Sequence, residues 1–192
     1  MRGLLLPIAL LSLSACAGVR DPTVGTTNTV QAGEWRIEKQ IDRITGAPLE
    51  SALVVASSSH SSEPFPKKVT MQLACFNKKP LVRFAFETKV GTTYSNEFGY
   101  RFDDRPGHQI EAGFLGNDQV AVIENGPDVA QFLDELKDSK TLYLRIRSLA
   151  FGRTTADFNV EGADAAMAAT TAHCPPVIED VKRRRNTRQP HR

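Results

Sequence analysis

Val69-Thr70-Met71-Gln72-Leu73-Ala74-Cys75-Phe76-Asn77-Lys78-Lys79-Pro80-Leu81-Val82-Arg83-Phe84-Ala85-Phe86 carries the clearest alternation of apolar and polar residues in the chain. Val69, Met71, Leu73 and Cys75 fall on one side of an extended chain, with Thr70, Gln72 and Ala74 on the other. After Asn77-Lys78-Lys79-Pro80 the alternation resumes, with Val82, Phe84 and Phe86 opposite Arg83, Ala85 and Glu87. Two half-buried strands separated by a short polar turn predict an antiparallel hairpin.

The same two-residue period recurs on both sides of this hairpin. Upstream, Trp35 and Ile37 alternate with Arg36 and Glu38, Thr45-Gly46 makes a turn, and Ala52 to Ala56 reads as a second strand. Ser57 to Pro64 is a polar stretch, read as a loop. Downstream, Phe98, Tyr100 and Phe102 form an alternating run that ends at Asp103-Asp104-Arg105-Pro106-Gly107. Two shorter runs, Gln109 to Phe114 and Gln119 to Glu124, flank Gly116-Asn117-Asp118. Leu142, Leu144 and Ile146 alternate with Tyr143, Arg145 and Arg147; Ala156, Phe158 and Val160 alternate with Asp157 and Asn159. Those two runs read as a further antiparallel pair joined at Phe151-Gly152-Arg153.

The period changes twice. Val129, Phe132, Leu133 and Leu136 have the i, i+3, i+4, i+7 spacing of a one-faced helix, with Pro127 and Asp128 suited to its first turn. Ala163 to His173 reads as a short alanine-rich helix, with Ala163, Ala166, Met167, Thr170 and Cys174 on one side and Pro175-Pro176 as its stop. The fold class that follows is mainly β: antiparallel sheets arranged as a β-sandwich, with a mid-chain helix and a short C-terminal helix. Charged residues at 24% and hydrophobic residues at 41% are ordinary for a globular protein, and 192 residues suit one domain with tails.

The N-terminus supplies an address. Met1-Arg2 is a positive start, Gly3 to Leu13 an apolar run too short to span a bilayer, and Leu13-Ser14-Ala15-Cys16 resembles the lipobox of bacterial lipoproteins. Residues 1–15 are therefore expected to be a signal peptide, Cys16 the lipidated residue, and residues 16–34 a flexible tether rich in Gly, Thr and Asn. Residues 35–176 are expected to form the single β-rich domain. Ala17 stands where aspartate marks inner-membrane retention in enteric lipoproteins, so the resemblance implies the outer membrane, facing the periplasm. With Cys16 assigned to lipid, Cys75 and Cys174 remain as an even pair in an oxidising compartment, where a disulfide is the default.

The net charge of +2 hides an uneven distribution. Within the tail of residues 177–192, Lys182, Arg183, Arg184, Arg185, Arg188 and Arg192 follow one another from 182 onward with no acid between them, while residues 3–181 hold 17 basic and 22 acidic groups, a net of −5. Such a tail suits an anionic membrane surface, an acidic protein partner or cell-wall carboxylates, or serves as a disordered solubilising extension. Nucleic acid is excluded as a partner because export removes the chain from it.

Chemistry-bearing residues are sparse. His60, His108, His173 and His191 have no metal-ligand spacing, and neither H-E-x-x-H, C-x-x-C nor G-x-S-x-G occurs. His60 sits in a serine cluster, better explained as a solvated loop than as a catalytic pair. Asp103 and Asp104 near His108 invite a cation site, but adjacent strand residues point to opposite faces and a turn accounts for them. No catalytic residue, cofactor or metal is expected.

Trp35 to Cys174 resembles the VasI/EvfG family of type VI secretion-associated periplasmic proteins. The matching residues are Glu34-Trp35-Arg36-Ile37, Ile41 to Gly46, Leu73-Ala74-Cys75, Tyr100-Arg101-Phe102-Asp103, Leu142 to Arg147, Phe158 to Gly162, and the alanine-rich helix into Cys174. The resemblance implies no catalytic residues and adds support to the pairing of Cys75 with Cys174. This chain lacks the family's cysteine-bearing segment ahead of the tryptophan and carries a lipobox and a basic tail instead. The function expected is a membrane-anchored binding or accessory module of an envelope or secretion assembly, with contact surfaces on exposed strand faces such as Tyr143, Arg145 and Arg147 and on the tail. An inhibitor of a hydrolase acting through Ser57 to Pro66 is the alternative, and a hydrolytic enzyme the third.

Overall fold

The computed structural model describes residues 24–42, 44–62, 67–91, 96–172 and 174. Residues 1–15, expected to be a signal peptide, Cys16, expected to be lipidated, and the basic residues from Lys182 to Arg192 lie outside the described residues. The chain runs β1 (Val24–Ala32), β2 (Trp35–Asp42), β3 (Pro48–Val55), β4 (Ser58–His60), β5 (Val69–Phe76), β6 (Lys79–Phe86), β7 (Asn96–Phe102), β8 (His108–Ile110), β9 (Gly113–Leu115), β10 (Val120–Ile123), α1 (Gly126–Lys137), β11 (Thr141–Ser148), β12 (Gly152–Asn159) and α2 (Ala163–Thr171).

These strands make two sheets in which every pairing is antiparallel. A seven-stranded sheet has the order β1-β2-β3-β5-β6-β10-β9, and a five-stranded sheet the order β4-β12-β11-β7-β8. The β5–β6 hairpin lies within the larger sheet. Its turn is tighter than the sequence alone suggested: Phe76 pairs with Lys79, and only Asn77 and Lys78 connect them. Both adopt positive φ, 50° and 60°, the requirement of a two-residue turn matched to sheet twist. Pro80 lies inside β6, where its missing N–H is tolerated because the pairing of β6 with β10 begins only at Val82.

The alternating apolar residues meet between the sheets. Phe84, fully buried on β6, lies 5.5 Å from the ring of Phe98 on β7 and 6.1 Å from that of Phe158 on β12. Phe132 of α1 closes the cluster, 6.1 Å from Phe84, 4.9 Å from Tyr100 and 5.0 Å from Phe102. Three rings from two strands, β6 and β7, thus meet Phe132, and truncating such a side chain costs about 3–5 kcal/mol. The helix presents Val129, Phe132 and Leu136 to this core, as its spacing requires. Its end is held by Arg105, whose guanidinium donates to the carbonyl oxygens of Glu135 at 3.2 Å and Asp138 at 3.4 Å, a cation where the helix dipole favours one.

Helix α2 buries Ala163, Ala166 and Thr170 and packs against β3, β5 and β2 of the larger sheet. Its small side chains let it lie close to the strands. Cys174, just beyond it, meets Cys75 on β5 with the geometry of a disulfide, the Cα atoms 5.8 Å apart across a sequence separation of 99.

Two segments correct the sequence reading. The stretch assigned to the tether contains β1, which pairs with β2 from Val24↔Asp42 to Ala32↔Trp35. The domain therefore includes residues well before Trp35. The reason is that an edge strand is held by its backbone ladder, and Asn28, Thr29, Val30 and Gln31 remain exposed, leaving no apolar period to detect. The polar stretch after β3 likewise contains β4, the edge of the smaller sheet, paired with β12 through Ser58↔Asp157 and His60↔Thr155. Ser59 is buried there and its hydroxyl bonds the backbone oxygen of Lys67.

Candidate interaction face

Strand β11 sends Leu142, Leu144, Ile146 and Ser148 into the core, so Tyr143, Arg145 and Arg147 face outward. Register supplies their neighbours. Tyr143 is paired with Arg101 on β7 and Asp157 on β12, Arg145 with Gly99 and Thr155, and Arg147 with Glu97 and Arg153. The exposed strand residues singled out from the sequence therefore share a face with two further arginines, Arg101 and Arg153. The sequence signal for those two existed in the alternation of their own strands. What was missing was the register that aligns three strands.

The charges on this face are unevenly matched. Arg147 pairs with Glu97 at 3.2 Å, both well exposed, a contact worth little in water. Asp157 accepts a 2.7 Å hydrogen bond from the Ser58 hydroxyl, which holds it at the β4 side. No acidic side chain pairs with Arg101 or Arg145 among the described residues. The Nε of Arg145 is buried and without a hydrogen-bond partner. Two open depressions lie along the face. One, of about 370 Å³, is bordered by Gly99, Arg101, Gly107, Gln109, Tyr143 and Arg145. The other, of about 520 Å³, is bordered by Glu97, Arg147, Leu149 and Arg153.

Protein-family models, curated proteins and solved structures were each compared with the chain, and none matches it.

The remaining residues weighed for chemistry fall into structural settings. Asp103 adopts φ 45° at the end of β7, and its Oδ1 accepts from the Thr141 N–H at 2.9 Å, the Thr141 hydroxyl at 3.0 Å and the Lys140 N–H at 3.2 Å. That carboxylate clamps the β7 end to the start of β11. His108 does not join it. Its Nε2 lies 2.8 Å from Glu135 Oε1 on α1, and Gln131 Nε2 lies 3.1 Å from its Nδ1 and donates to Glu135 Oε1 at 3.2 Å. Gln131 and Glu135 are one helical turn apart, a spacing visible in sequence, but their meeting with β8 is tertiary. The Tyr100 ring lies 5.0 Å from His108, and its phenol is held well above the ordinary value by burial first and then by the charges of Glu135 and Asp128.

His60 is exposed at the β4 edge, while Ser57 and Ser58 donate to Asp157 and Ser59 to Lys67. Among the described residues, no group of three or more His, Cys, Asp or Glu side chains is placed to hold a metal ion. No described helix is long and apolar enough to cross a membrane.

Proposed function

We propose that this chain is a lipid-anchored, periplasm-facing protein that works by binding, as a non-catalytic accessory module of an envelope or secretion assembly. The observation that carries the reading is the outer face of the five-stranded sheet, where exposed Arg101 and half-buried Tyr143 and Arg145 lie beside one another, with no acidic partner for either arginine among the described residues. Arginine and tyrosine are the residue types that dominate the energetics of protein contacts. The Leu13-Ser14-Ala15-Cys16 pattern supports the anchor, and the resemblance of residues 35 to 174 to the VasI/EvfG family supports the setting.

Two experiments test this reading separately. Cys16→Ser should move the protein from the membrane to the soluble fraction, and a membrane-bound variant overturns the anchor. Envelope proteins should be cross-linked to the wild type and to Arg83→Glu, which alters the opposite sheet, but not to Tyr143→Ala with Arg147→Glu. Equal recovery from all three overturns the face.

A further inference from the structure

The two depressions on the outer face differ in one respect that decides their chemistry. Glu97 lines the one beside Arg147, so a carboxylate already answers the cation there. No acidic side chain lines the one between β8, β7 and β11. Besides Gly99 and Gly107 it is lined by Arg101, Arg145, Gln109, Tyr143, Tyr100 and His108. Of these the two guanidiniums, the Gln109 amide and the Tyr143 phenol carry donors, while the His108 Nε2 is already engaged by Glu135. Arg101 is paired across the sheet with Tyr143, and Arg145 with Gly99, so the two arginines are diagonal neighbours on adjacent strands. Diagonal positions are about 7–8 Å apart, within reach for two long side chains to meet over one ligand.

Arg145 is positioned before any ligand arrives. Its Nε is enclosed and makes no hydrogen bond, and its Nη2 lies over Gly99, 3.8 Å from where a Cβ would stand. A Cβ on Gly99 would also come 3.2 Å from the backbone oxygen of His108, so the floor of the depression is bare backbone. A guanidinium whose stem is already fixed loses less freedom on binding.

Resting on the reading of this face as a binding surface, we propose that the depression takes a phosphomonoester group, held between Arg101 and Arg145. Two guanidiniums without a lining acid call for a dianion. A phosphomonoester carries about −1.5 to −2 charges near pH 7 and three oxygens that match the guanidinium fork; a single carboxylate leaves one cation unanswered. The shared chemistry covers free phosphate and a phosphosugar such as a lipid headgroup carries.

The test is calorimetric titration of the full chain in detergent with inorganic phosphate, glucose 1-phosphate and glucuronate. Both phosphate probes should bind, more weakly as salt is raised, and glucuronate at least tenfold less tightly. Tighter binding of glucose 1-phosphate assigns a phosphosugar, and equal binding assigns free phosphate. Arg101→Gln and Arg145→Gln should each weaken binding at least tenfold. Arg145→Lys should fail to restore it, since an ammonium lacks the fork, and Arg83→Gln on the opposite sheet should leave it unchanged. Thermal melting confirms folding, and if Arg145→Gln unfolds, the exposed Arg101 carries the test. Absent phosphate binding, binding indifferent to these substitutions, or glucuronate binding as tightly as phosphate overturns the proposal. Loss of envelope cross-linking in Arg145→Gln without any phosphate binding defeats the ligand while leaving the binding face standing.

Discussion

The indole Nε1–H of Trp35 donates to the backbone oxygen of Val160 at 3.1 Å, across a separation of 125 residues. Trp35 opens β2 in the larger sheet, and Val160 follows β12 in the smaller one. One buried side chain therefore ties the two layers together near their edges. Beside it, the Glu34 N–H donates to the Glu161 oxygen at 3.2 Å, so the β1–β2 turn is docked on the segment leading into α2.

Trp35→Phe should destabilise the domain by about 2–4 kcal/mol. The fully buried indole leaves a cavity when shortened, and the Val160 oxygen loses its donor. Urea unfolding measures the change; a loss below about 0.5 kcal/mol shows that this tie is unimportant.

Gly33 and Gly162 face one another across the same junction, each with positive φ, 57° and 92°. A Cβ on Gly162 would collide with the Ala32 carbonyl, and one on Gly33 with the Glu161 carbonyl. Gly46 also has positive φ, 70°, but open space around it. Gly46→Ala should cost about 1 kcal/mol, the backbone penalty alone, and Gly162→Ala at least about 2 kcal/mol more. Equal melting temperatures for the two variants refute the close approach.

Peptide mapping of the non-reduced protein should find Cys75 joined to Cys174. Breaking the link with reductant, or with Cys75→Ser and Cys174→Ser together, should cost about 4–5 kcal/mol on the chain-entropy account of a loop near 100 residues. Protease sensitivity should appear first around α2, which that bond holds to β5. Free thiols at both positions contradict the pairing.

Burial alone would raise the Asp103 carboxyl, but hydrogen bonds from Thr141 and Lys140, with the Arg105 charge, outweigh it and hold the pKa below its ordinary value. A lowered folded-state pKa contributes stability that is present above the unfolded value near 4 and is lost as pH falls through the folded value. Asp103→Asn should therefore be less stable than wild type at pH 7, by no more than about 1 kcal/mol because the group stays largely solvated. The gap should close as pH drops below about 4. A gap that is constant from pH 7 to pH 2 rules the carboxylate out as its source.

Much of the fold was legible because alternation is a local property. The hairpin from Val69 to Phe86, the run into Phe102, the pair from Leu142 to Val160 and both helices announce themselves by the period at which apolar side chains recur. The face of α2 was likewise readable, since helical spacing aligns Ala163, Ala166 and Thr170, although the helix ends at Thr171, before Cys174.

Tertiary structure alone decided what has no period or no local partner. Strands β1 and β4 are edge strands with polar, exposed side chains, held by backbone hydrogen bonds to β2 and β12 that any sequence can make. His108 meets Glu135 rather than Asp103, its nearer neighbour in sequence, because its ring reaches Gln131 and Glu135 on α1 while the Asp103 carboxylate turns back to Thr141. The gathering of Arg101 and Arg145 above Gly99 depends on the register between β7 and β11, more than forty residues apart in the chain. Where apolar residues recur at a regular spacing, that spacing alone determined the kind of element and the face it buries. Which elements touch, and so which charges share a face, was decided only by the packing of the two sheets.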